Sequence, residues 1–121
     1  MSTGYHEQNL SEGTKDVHRA LASLQEELEA VDWYNQRVDV TGDQELKAIL
    51  EHNRNEELEH ASMLLEYLRR NVPEVDESLK TYLFTNLPIT EIEEAEGEAE
   101  SGGEATEGST QNAGLGVGNL R

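Results

Sequence analysis

The sequence predicts an all-α protein: a two-helix antiparallel hairpin followed by a short third helix, with a four-helix bundle reached only when two copies pair. Three observations predict it. Two long segments repeat apolar residues at alternating spacings of three and four. A three-residue turn, Thr41-Gly42-Asp43, separates them, so they must fold back on each other. The chain has 121 residues, yet from Glu91 onward the composition is almost entirely Glu, Gly, Ser, Thr, Ala, Asn and Gln. Roughly ninety residues are then left to build a core, a size that buries too little surface for comfortable stability without association.

The first helix is expected from Ser11 to Val40, with Ser11 as N-cap and Val17, Leu21, Leu24, Leu28, Val31 and Val38 as its stripe, interrupted by Asn35. Gly42 should end it in a left-handed conformation, and Asp43 should cap the second helix. That helix runs from Gln44 to Asn71, with a stripe of Leu46, Leu50, Asn53, Glu57, His60, Leu64 and Tyr67, widened by Ile49, Met63 and Leu68. Arg69 and Arg70 complement its dipole, and Pro73 stops it. A short third helix over about 75–85 presents Val75, Leu79, Tyr82 and Leu83, and Pro88 blocks its continuation. The organisation is therefore a flexible N-terminus (1–10), a helical domain (11–90), an unstructured, self-repelling acidic linker (91–112) and a distinct C-terminal segment (113–121).

Composition excludes several functions. The chain has no cysteine, so disulfides, zinc fingers, iron–sulfur clusters and thiol catalysis are out. Nine Lys+Arg against 26 Asp+Glu give a net charge of −17, a poor surface for nucleic acid and a natural one for divalent cations, or simply a solvated acidic exterior. No apolar run approaches the ~20 residues that cross a bilayer, and the polar N-terminus lacks the core of a signal peptide, so no membrane partner and a cytoplasmic location are expected.

The candidate site consists of polar residues on apolar stripes. Glu27 lies at the centre of a face formed by Ala20, Leu24, Val31, Tyr34 and Val38. Glu57 and His60 lie on the stripe of the second helix, spaced so that both point the same way. Ionised carboxylates are costly to bury unless paired or bound to metal, and a Glu facing a Glu-x-x-His across an antiparallel hairpin is a metal-binding arrangement. Each residue also has an ordinary reading. Glu27 could pair with Arg19 or Arg54, His60 could be a satisfied core histidine, Asn53 could bond either, and Glu56 could replace Glu57 as the partner of His60. A two-iron carboxylate centre takes a Glu from each of two helices and a Glu-x-x-His from each of two others. This chain supplies half, so a two-fold-related copy would contribute a second Glu27, Glu57 and His60. Imidazole mixed with carboxylate suits iron or manganese, and zinc less specifically.

At this point the residues resemble a known family. Glu26-Glu27-Leu28-Glu29-Ala30-Val31-Asp32-Trp33-Tyr34, His52 to Ala61 and Thr81-Tyr82-Leu83-Phe84-Thr85 are together similar to the encapsulated ferritins, two-helix relatives of ferritin carried inside encapsulin shells. The resemblance implies a ferritin-like fold and a ferroxidase di-iron (Fe) centre at a dimer interface with Glu27, Glu57 and His60 as ligands. It implies Trp33 and Tyr34 close by, Glu26 and Glu29 gathering incoming metal, and a decameric ring that the third helix helps to hold. His6, His18 and His52 have no matched role. The C-terminal segment, with Leu115, Val117, Leu120 and Arg121, looks like an encapsulin cargo-loading peptide; apolar anchors spaced by glycine suit an extended peptide in a groove. The expected function is oxidation of Fe(II) to Fe(III), feeding iron storage inside an encapsulin nanocompartment. Another Fe or Mn oxidase or peroxidase, or a non-enzymatic metal-binding adaptor, are the alternatives.

Overall fold

The computed structural model describes residues 4–102. Four helices follow in order: α1 (Glu12–Val40), α2 (Gln44–Asn71), α3 (Pro73–Tyr82) and α4 (Ile89–Gly102), with no strand among the described residues. The all-α, ferritin-like helical class is the one expected. The chain divides after Asn71 into two compact units, the first being the α1–α2 hairpin and the second carrying α3 and α4.

Local chemistry sets the hairpin's limits. Ser11 caps α1, its Oγ accepting from the Thr14 backbone N–H at 3.1 Å. Asp43 Oδ1 caps α2, accepting from the N–H groups of Glu45 (2.9 Å) and Leu46 (3.0 Å). Gly42 does not do what was expected of it. No described glycine has a positive φ, and α1 instead ends at Thr41 with extended backbone (φ −74°, ψ 139°), its N–H bonded to the Arg37 carbonyl. Thr41 Oγ1 also accepts from the Asp43 N–H at 3.2 Å, so side-chain hydrogen bonds close the turn without a left-handed residue. At the far end of α2, Arg69 and Arg70 both bond Glu66 and, in that order, hold its carboxyl down at about 2. They meet a side chain as well as the helix dipole.

The core between the two helices is thin. Ala20 and Val38 on α1 and Leu50, Ala61 and Leu68 on α2 are buried, the small alanines allowing close approach. No described side chain is fully enclosed and no polar residue is buried. Leu21, Leu28, Leu46, Ile49, Met63 and Tyr67 all remain exposed, Met63 at 63 %. These residues belong to the stripes read from the sequence, but one neighbouring helix covers only part of an apolar arc this wide.

The second unit departs further from expectation. α3 covers 73–82 rather than 75–85, because Pro73 occupies its first position, where a fixed φ and a missing N–H are no handicap. The helix ends at Tyr82 because Leu83 is already extended (φ −75°, ψ 147°); Phe84 follows in the left-handed region (φ 60°) and 76 % exposed, an uncommon conformation for a bulky residue. α3 does end before Pro88, but a new helix begins directly after it, the Pro88 carbonyl accepting from the N–H groups of Glu91 (2.9 Å) and Ile92 (3.2 Å). The acidic stretch expected to be an unstructured linker is thus helical as far as Gly102. Glu and Ala are strong helix formers, Glu91 complements the dipole in the first turn, and Ile92 is buried. The rest of the expected linker (103–112) and the C-terminal segment (113–121) lie outside the described residues.

Because Asp43 satisfies two N–H groups at the start of α2, Asp43→Ala is expected to lower stability by about 1 kcal/mol, measured by urea unfolding, without changing helix content in the folded state. Asp43→Asn should retain most of it.

Candidate metal centre

Two helices bring the candidate ligands together. Glu27 lies midway along α1, and Glu57 and His60 lie three apart on α2. Antiparallel pairing converts these positions into one cluster in which a ligand atom of each lies within 4.8 Å of the others. His60 Nδ1 is 3.4 Å from Glu57 Oε1 and 3.5 Å from Glu27 Oε1. The other ring nitrogen, Nε2, is 3.8 Å from Glu56 Oε1, and the second oxygen of Glu56 is 3.8 Å from His52 Nε2. Glu57 therefore belongs to the cluster, while Glu56 stands behind the imidazole, where it can orient the ring.

The cationic partners that could have made Glu27 an ordinary ion pair are engaged elsewhere. Arg19 bonds Asp16 at 2.7 Å, and Arg54 Nη1 donates to Asn35 Oδ1 at 3.0 Å. Glu27 Oε1 is closed to solvent and has no hydrogen-bond donor in good geometry. A proton on Glu27 would turn that carboxyl into a donor toward the adjoining Glu57. Accordingly, hydrogen bonding with Glu57, then burial, then the charge of Glu57 push the Glu27 carboxyl above its ordinary value, with His60 opposing. For His60, burial disfavours the charged ring, but hydrogen bonding to Glu57 and the charges of Glu27 and Glu57 outweigh it and raise the pKa. Two crowded carboxylates, an orphaned buried oxygen and an imidazole nitrogen aimed between them fit a divalent cation. A metal bound there would be held by Glu27, Glu57 and His60.

Glu26, Glu29, Trp33 and Tyr34 were expected around the cluster rather than as its ligands. Glu29 is exposed. Glu26 is exposed too, and lines an open concavity of about 330 Å³ with Tyr5, His18, Arg19 and Ser23. Trp33 is half-exposed. Tyr34, seven residues after Glu27 and so on the same side of α1, is half-buried with the Arg37 guanidinium 5.4 Å from its ring centroid. The Arg54–Asn35 contact was missed in the sequence. Its signal was the placement of Asn35 on an apolar stripe.

The hairpin and its cluster define the class first: a ferritin-like helical protein with a carboxylate–imidazole group suited to metal. The chain belongs to the EncFtn-like family, whose family model matches residues 3–86. It is 57 % identical over 110 residues to a ferritin-like protein of Thermotoga maritima, covering 89 % of this chain and 94 % of that one. It is 56 % identical over 115 residues to an encapsulated ferritin-like protein of Rhodospirillum rubrum, covering 93 % and 82 %. The crystal structure of protein ne0167 from Nitrosomonas europaea superposes with a TM-score of 0.68 at 65 % identity, covering 71 % of this chain and 97 % of that chain. A shorter match, 38 % over 52 residues, links it to an encapsulin nanocompartment cargo protein of Myxococcus xanthus, over 43 % of this chain and 40 % of that one.

Both shifts have the same sign for stability. The folded state favours the protonated forms, so the contribution is complete below the ordinary values of 4.5 for Glu27 and 6.5 for His60 and fades as pH rises through the raised values. A cation must displace those protons, so metal affinity rises with pH. Glu27→Gln keeps the shape and removes the charge. It is expected to raise the melting temperature of the metal-free protein at pH 7 and to abolish the rise that Mn(II) gives the unaltered protein, both read by differential scanning calorimetry.

Proposed function

We propose that this chain is a ferroxidase that oxidises Fe(II) to Fe(III) at a di-iron centre shared between two copies, and that it is cargo of an encapsulin shell. The observation that carries the reading is the convergence of Glu27, Glu57 and His60 on a face left open in the single chain, with His60 46 % exposed beside uncovered Leu46, Ile49, Met63 and Tyr67. One chain brings three donors where a two-iron centre takes six. A second copy on this face would supply the other three while covering the apolar side chains. Family membership supports iron as the metal, and the Rhodospirillum and Myxococcus relatives support an encapsulin as the partner.

Iron enters as substrate. Each Fe(II) gives up one electron, so a pair delivers two, with dioxygen as the acceptor. Glu27 and Glu57 concentrate negative charge where the ion's charge rises from two to three, which favours the oxidised product. His60 contributes Nδ1, and Glu56 on Nε2 sets the ring's orientation. Glu27 and His60, whose pKa values are both raised, must be unprotonated to ligate, so a cation competes with protons there. Leu115, Val117, Leu120 and Arg121 form the proposed shell-binding segment, joined by a tether that holds the catalytic body off the wall and concentrates copies inside. Glu26 and Glu29 act as an outer acidic surface that draws ferrous ion toward the hairpin, and Trp33 and Tyr34 flank the centre on α1. A decameric ring is the proposed assembly.

Native mass spectrometry with and without Fe(II), beside ferrous oxidation followed by absorbance, tests the reading. Glu27→Ala and His60→Ala are each expected to lower the oxidation rate at least 100-fold while helical content is kept, since removing either leaves the pair of ions without a full donor set. A monomer that oxidises Fe(II) at the full rate overturns the shared centre. Deleting 113–121 should leave oxidation unchanged and abolish co-purification with a co-expressed encapsulin.

A further inference from the structure

A side-chain hydrogen bond crosses the hairpin one helical turn from the metal-ligating group. Arg54 Nη1 donates to Asn35 Oδ1 at 3.0 Å, while Nε and Nη2 each lie 3.3 Å from Asn55 Oδ1. All of these acceptors are neutral amide oxygens. Yet Arg54 stands three residues before Glu57, a spacing at which arginine and glutamate on one helix pair readily. A carboxylate is the stronger attraction, since hydrogen bonds to an ionised acceptor are roughly twice as strong as neutral ones. Elsewhere the arginines take carboxylates one turn back: Arg70 takes Glu66 at 2.7 Å and Arg19 takes Asp16 at 2.7 Å, whereas Arg54 makes no ion pair with Glu51 three residues back or with Glu57 three ahead. Arg54 reaches across to α1 instead.

We propose that Asn35 is a positioning residue for the metal centre: by engaging Arg54 across the hairpin it keeps the guanidinium off Glu57 and leaves that carboxylate free for a cation. This rests on the metal-binding reading of Glu27, Glu57 and His60. A guanidinium on Glu57 would neutralise the charge that draws the metal and occupy an oxygen that ligates it. The neutrality of Asn35 matters less than its reach, because any acceptor at that position holds Arg54 away. The same contact also ties α1 to α2 near the turn. A purely structural role would make Asn35 and Arg54 equally necessary, whereas the positioning role makes Arg54 harmful once Asn35 is gone.

The test is Mn(II) titration calorimetry on the full chain and on Asn35→Ala, Arg54→Ala, the double variant and Asn35→Asp. Asn35 is exposed and alanine is the better helix former, so the fold is kept. Asn35→Ala is expected to weaken Mn(II) binding about 2- to 5-fold, the range of a partly exposed ion pair. Adding Arg54→Ala should restore the affinity, and Asn35→Asp should retain it. In a metal-free crystal structure of Asn35→Ala, the Arg54 guanidinium should lie within about 4 Å of Glu57. A double variant as weak as Asn35→Ala, or an Asn35→Ala with unchanged affinity, overturns the proposal. If the unaltered protein takes up no Mn(II), the metal reading itself fails, and the metal-free crystal structure still decides whether Asn35 restrains Arg54.

Discussion

Two carboxylates held together with no arginine or lysine on them, only the His60 ring, form the constraint on which the hairpin's chemistry turns. Like charges at such range cannot both ionise freely, and burial of Glu27 makes this harder still. A folded chain commonly resolves such crowding with an arginine. Here the arginines within reach are held elsewhere, Arg19 by Asp16 and Arg54 by Asn35, and Arg69 and Arg70 share Glu66 at the end of α2. What remains beside Glu27 and Glu57 is the His60 ring, its Nδ1 3.5 Å and 3.4 Å from their oxygens. The fold thus gathers like charge at one place, where the proposed cation would relieve it. Stability given up at a site in this way is common where the site must bind.

The open face bearing the cluster and the thinness of the core have one cause. A hairpin offers each helix a single neighbour, and the apolar arcs of α1 and α2 are wider than that neighbour covers. Ala20, Val38, Leu50, Ala61 and Leu68 go inside, while Leu28, Ile49 and Met63 face outward. Because His60 lies among the outward residues, anything that covers the apolar surface also closes the cluster. The proposed pairing of copies therefore couples assembly to the chemistry: the hydrophobic gain of association and the completion of the ligand set arrive together.

Much of the architecture was legible from local signals. Ser11 and Asp43 marked their helices as caps, and the span of α2 was read to the residue because Asp43 and Pro73 bracket it. The cluster was legible as well: a Glu at the centre of one apolar face and a Glu-x-x-His on another must meet once both helices are placed antiparallel. Where local reading failed, a competing local force had been underweighted. The stretch from residue 91 was read as an unstructured linker, yet the Pro88 carbonyl starts α4, and the helix propensity of Glu and Ala prevails over charge repulsion up to Gly102. Gly42 was given a left-handed role that Thr41 and Asp43 made unnecessary with side-chain hydrogen bonds. Phe84, with no glycine-like signal, takes the left-handed conformation instead.

By itself the sequence determined the two long helices, their antiparallel return and the three residues that cluster between them, because periodicity, caps and turn length act over a few bonds and are written in neighbouring positions. Only the tertiary structure decided how the polar groups share one another. It turned His60 Nδ1 to the glutamates and Nε2 to Glu56, separated Glu26 and Glu29 from the cluster, and sent Arg54 to Asn35 rather than to Glu27. Those outcomes depend on distances of a few ångströms between two helices. A one-dimensional pattern places a residue on a face, but a hydrogen bond is settled by where the opposing face stands.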